Sequence, residues 1–177
     1  VKSKDQTFNL PSYVTVFSVD DSELESELFE KMSMNLDFHF RGGFWKYTLQ
    51  RFFAVNELHK TVPNRPITHI ESDVLVMPNF PWGALYNLPK LAWLKVNSEI
   101  DVAAIVHFPS AEMTEIFARE VSKLAEQNPR INDMQALHEI ATTLNSLHTY
   151  LPSVPNSKDI NNFGGISGQK YQYVIFE

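Results

Sequence analysis

Two rhythms of apolar positions alternate along this chain and predict its elements. Residues 12–18 (Ser-Tyr-Val-Thr-Val-Phe-Ser) are β-branched and aromatic and suit a first strand, closed by Asp20, Asp21 and Ser22. Ser22 then caps a helix to about Ser33, with Glu23, Glu25 and Glu27 near its positive N-terminus. Residues 36–40 alternate as a short strand until Gly42 and Gly43 break it. From 44 to 60 the period becomes helical, with Leu49, Phe52, Phe53 and Leu58 on one side and Pro63 just beyond the end. Residues 67–71 are extended again, so the order is β-α-β-α-β, which favours a parallel sheet with helices on its faces.

The second half continues in kind. Pro78, Pro81 and Pro89 surround Trp82 and predict a loop, and 85–96 suits a helix. Residues 100–108 are an apolar, β-branched run and predict a buried strand. An amphipathic helix follows at 111–127, stopped by Asn128 and Pro129. Asn132 caps another helix to about His148, and 150–165 is a loop rich in Pro, Asn and Gly. The expected fold class is therefore α/β: one domain over 1–177 with a mostly parallel central sheet and helices on both faces, open to being a piece of a longer protein.

Composition narrows the function. With 177 residues, 44% hydrophobic and 13 Phe, the chain supports one sizeable core and is not disordered. A net charge of −6 without any cluster of Lys and Arg argues against nucleic acid as a partner. The absence of Cys rules out disulfides, thiol nucleophiles and zinc–thiolate sites. No apolar run nears the ~18 residues of a membrane span, so a soluble, cytoplasmic protein is the expectation.

The most informative stretch is Ile67-Thr68-His69-Ile70-Glu71-Ser72-Asp73, where two carboxylates arrive at the carboxyl end of a strand, the usual ligand position in open α/β sheets. On an extended backbone side chains one residue apart share a face, so Glu71 and Asp73 can approach one Mg²⁺ or Mn²⁺ that grips a phosphate. The bland alternative is a turn in which Asp73 bonds its own backbone. His69 alternates with Glu71 and faces the same way. No phosphate loop, dinucleotide glycine fingerprint or nucleophile elbow is present.

The run from Phe44 through Arg51 to Phe53, followed by Thr68-His69-Ile70-Glu71-Ser72-Asp73-Val74, resembles the nucleotide-sugar-dependent glycosyltransferases of the GT-A fold, which carry a DxD-type motif in this position. Asn132-Asp133-Met134-Gln135 and the loop Asn162-Phe163-Gly164-Gly165 resemble further segments of that group. Two departures stand out: the first acid is Glu, and the chain ends early for the fold. The resemblance implies a hexosyltransferase that moves a sugar from a nucleotide diphosphate donor, UDP-linked by default, to a carbohydrate or other hydroxyl acceptor. Asp73 would bind the metal directly, and Glu71 would reach the ribose or a metal-bound water. Phe17, Ser18 and Asp20 would form the nucleotide side of the cleft, together with Ser72. Arg51 would touch the nucleotide or stabilise a cleft carboxylate. Gly164 and Gly165 would let backbone approach a phosphate or sugar. The catalytic base is Asp133 or Asp159, or lies beyond Glu177. The alternatives are a sugar nucleotidyltransferase, or a non-catalytic module that binds a glycan or partner.

Overall fold

The structure, a computed structural model, describes residues 27–152 apart from 38, 77 and 79. Helix α1 spans Glu27–Asn35 and is followed by a single 3₁₀ turn at Phe40–Gly43. Arg41, Gly42 and Gly43 take φ values of 48°, 63° and 79°, so the chain reverses in a left-handed stretch that glycine adopts without strain. Helix α2 (Phe44–Thr61) starts at that point, as the glycine pair predicts. Its buried side runs through Leu49, Phe52, Phe53, Asn56 and His59, so His59 takes the place expected of Leu58. Among the described residues of 36–40 no strand forms: the Asp37 side chain accepts the His39 amide at 3.0 Å, a local bond that competes with sheet pairing.

Strand β1 (Ile67–Ile70), helix α3 (Trp82–Tyr86), strands β2 (Leu91–Lys95) and β3 (Asp101–Phe108), helices α4 (Ala111–Gln127) and α5 (Asp133–Thr143) and strand β4 (His148–Leu151) complete the described chain. The strand order is β1-β3-β2-β4. Here the expected parallel sheet is corrected to a mixed one, since β1 and β2 both run antiparallel to β3 and only β2 and β4 run parallel. Connection length explains this. The β2–β3 link is a tight hairpin closed by the Val96 amide on the Ile100 carbonyl at 3.3 Å, which permits only antiparallel pairing. Parallel pairing needs a long crossover, and α4 and α5 provide one between β3 and β4. The helix expected at 85–96 is also corrected: α3 ends at Tyr86 and β2 takes up 91–95.

Leu91 and Trp93 of β2 face a core built with α1, α2, α4 and α5, and Ala92 and Leu94 face a smaller cluster with Leu85 of α3. Helices therefore lie on both faces, though unequally. At the centre Phe117 of α4 meets Phe52, Phe108 and Trp93 edge-on, at ring-centroid distances of 5.1, 5.2 and 5.9 Å. Helix α4 has the bounds its periodicity predicts, with the Ser110 hydroxyl capping the Met113 amide at 3.3 Å. Buried His59 ties three segments together, its Nδ1 lying 2.6 Å from the Thr114 hydroxyl and its Nε2 2.8 Å from the Arg65 carbonyl. Burial pushes its pKa down and keeps it neutral, so Nε2–H donates to Arg65 and Nδ1 accepts from Thr114. Among the described residues no helix is long and apolar enough to cross a membrane.

Candidate functional site

Strand alternation and a helix start bring three side chains together at the carboxyl end of β1. His69 pairs with Val106 in the β1–β3 register and so points to the helical face, where its ring lies 6.2 Å from that of Phe52. Glu71 continues on that side, its amide donating to the Ala104 carbonyl at 3.1 Å. Arg51, beside Phe52 on α2, donates from one terminal nitrogen to Glu71 Oε1 and from the other to Asp133 Oδ2. Asp133 is the first residue of α5, held there by a capping box in which the Gln135 amide reaches Asn132 Oδ1 at 2.8 Å. Residues separated by 20 and 82 positions thus share one guanidinium.

The charges are unequally solvated. The Asp133 side chain is only 7% exposed, against 28% for Glu71. Burial pushes the Asp133 carboxyl above its ordinary pKa, while Arg51 and the Met134 amide pull it back. His69 is driven down to about 4 by burial, with Arg51 adding to the drop and Glu71 opposing it. Arg51 Nε and His69 Nε2 are both buried without a hydrogen-bond partner.

Several expectations meet here and others do not. Arg51, Glu71 and Asp133 converge, with Arg51 on two carboxylates. The extended backbone expected through Asp73 stops at Ile70. Residues 71–74 form a turn closed by the Val74 amide on the Glu71 carbonyl at 3.1 Å, so alternation does not place Glu71 and Asp73 on one face. Ser72 and Asp73 are exposed in that turn. Among the described residues no three His, Asp or Glu side chains group as a metal shell. Of the acid pair, Glu71 has one oxygen bonded to Arg51, and Asp73 stands exposed in the turn. Phe17, Ser18, Asp20, Asp159, Gly164 and Gly165 lie outside the described residues.

Trp82 is 46% exposed with Phe80 4.6 Å away, and Trp45 is half-buried under the Arg41 guanidinium at 5.4 Å. His148 stands on β4 with its ring 4.0 Å from that of Trp93, and burial drives it to about 4. Sequence reasoning missed Asp101, fully buried at the start of β3 with Trp93 Nε1 donating to its Oδ2 at 2.8 Å. The available signal was a carboxylate inside an apolar, β-branched run, where burial normally excludes it. Comparison with protein families, with curated proteins and with solved structures gives no match.

Proposed function

We propose that this chain is a metal-dependent glycosyltransferase that moves a sugar from a nucleotide diphosphate donor, UDP-linked by default, to a hydroxyl acceptor. The supporting observation is the convergence of Arg51, Glu71 and Asp133 at the end of β1. Arg51 fixes the Glu71 carboxylate at the rim, beside exposed Asp73. Asp133 is the candidate base, since burial raises its pKa towards a range where accepting a proton is useful. Mn²⁺ or Mg²⁺ held by Asp73 and Glu71 would neutralise the diphosphate and help the nucleoside diphosphate leave. Trp82 offers an exposed ring face for the sugar.

The test is a screen of nucleotide sugars with Mn²⁺, followed by thermal shift and slow donor hydrolysis. Saturation at a hundred times Kd stabilises a specific complex by about 2.7 kcal/mol. Asp73→Ala should abolish that shift without lowering the melting temperature of the free protein, because Asp73 is exposed. A flat response to every donor refutes the proposal. A second reading, a non-catalytic module, is favoured by the hydrogen-bonded turn at 71–74 and by the occupation of both carboxylates by Arg51. In that case glycans bind without metal, and Asp73→Ala changes nothing.

A further inference from the structure

Among the described elements β4 is an edge of the sheet, and β2 is its main support. Only four residues pair, in parallel, from Leu91 with His148 to Leu94 with Leu151. An edge held by so few contacts opens at a lower free energy than the core beside it. His148 and Tyr150 alternate onto the side of the sheet where Leu91 and Trp93 meet the larger core. There the His148 ring lies 4.0 Å from that of Trp93 and 4.5 Å from that of Tyr150.

The residue is 7% exposed, and its Nε2 is buried without a hydrogen-bond partner. A neutral ring tolerates that position. An imidazolium donates from both nitrogens, whichever tautomer it came from, and a buried donor without an acceptor is costly. The charges around it do not repair this. Asp101 of β3 attracts a proton to His148, and Lys90, just ahead of β2, repels one. The Asp101 carboxylate is already engaged: Trp93 Nε1 donates to it at 2.8 Å, Tyr150 is hydrogen-bonded to it, and His138 of α5 lies 3.6 Å away. Lys95 adds a further cation over the Tyr150 ring at 5.0 Å. Burial outweighs the pull of Asp101 and holds the imidazole down at about 4.

We propose that His148 latches β4 to the sheet and that acid opens the latch: protonation frees the strand from β2 and uncovers the Trp93 ring while the helical core stays folded. None of this depends on glycosyl transfer. A released His148 takes its proton near 6.5, against about 4 in place, so the latch holds above 6.5 and is lost as pH falls towards 4. Acidification from pH 7.5 to pH 5 then favours the open strand by about thirtyfold. The test is amide hydrogen exchange of the full chain over that range, corrected for the intrinsic rate at each pH. It is read at residues 148–151 and at Phe117 and Val121 of α4. At pH 7.5 the β4 amides should already be the less protected set, and at pH 5 they should lose about thirtyfold more. His148→Phe keeps a ring on Trp93 and takes no proton, so it should remove the pH response of β4. His148→Gln is the second uncharged variant, should the larger ring disturb packing. Equal protection of β4 and α4 at every pH overturns the proposal, because the strand then leaves only with the whole domain. So does a β4 protection that does not change with pH, since the imidazolium would then be accommodated in place. A pH response that survives both substitutions overturns it as well.

Discussion

Replacing Arg51 with Met removes the guanidinium from between two carboxylates while keeping the length of the side chain. Taking one partner from a buried pair costs about 3–5 kcal/mol, because the remaining charge is stranded. Water reaches Arg51 and Glu71, at 20% and 28% exposure, so the lower end, about 3 kcal/mol at pH 7, is expected. The loss should also depend on pH. In the native chain burial raises the Asp133 pKa, so between the unfolded and folded pKa values the folded state binds more proton than the unfolded state. The stability this contributes is complete below the unfolded pKa and is lost as pH rises through the folded one. Without Arg51 the folded pKa climbs further and the window widens upward. The variant's deficit is therefore largest above its own folded Asp133 pKa and shrinks on acidification, by at most about 1.4 kcal/mol per pH unit for one proton. His69 acts in the same sense, since Arg51 helps to hold it near 4. Urea unfolding from pH 5 to 8, read by tryptophan fluorescence at constant m, measures this directly. Adding Asp133→Asn should restore most of the loss. A deficit equal at every pH, or below about 1 kcal/mol at pH 7, refutes the argument, since it would mean the pair is screened like a surface ion pair.

Three further outcomes can be checked on the same protein. His69 and His148 are both lowered to about 4, so the stability they contribute is present above their unfolded pKa near 6.5 and is lost as pH falls towards 4. His69→Gln and His148→Gln should each flatten that acid slope by about one proton, and an unchanged slope would count against their burial. Phe117→Ala empties the centre of four aromatic rings and should cost about 3–5 kcal/mol in chemical denaturation. Asn132→Ala removes the cap of α5 and should cost about 1 kcal/mol, with faster amide exchange at Gln135 as its local signature.

How far the fold was legible follows from which forces act locally. Helix α4 and strand β3 were readable because periodicity and burial agree there: Thr114, Phe117, Ala118, Val121 and Ala125 mark one stripe. Strand β2 was not, because it is apolar towards both faces of the sheet and shows no alternation. Leu91, Ala92, Leu94 and Lys95 also suit a helix, and only pairing with β3 and β4 overrides that preference. Likewise the helix capped by Asn132 ends at Thr143, and the next strand exists because β2 offers it an edge. At the site, Arg51, Glu71 and Asp133 were legible as separate candidates. Their meeting was not, since it depends on tertiary packing of α2 against α5. Asp101 went unread because its hydrogen-bond partner, Trp93, lies on the neighbouring strand.

The His59 contact carries one more consequence. If acid adds a proton to Nδ1, the Thr114 hydroxyl can turn its hydrogen to the Ser110 carbonyl, 3.0 Å away, and accept from the ring instead. Every donor then still has a taker, and the knot between α2, α4 and the approach to β1 survives with its bonds reversed. His69 and His148 have no such second arrangement on their Nε2 atoms. Three deeply placed imidazoles should thus differ in how they fail: one rewires, and two loosen the packing around them.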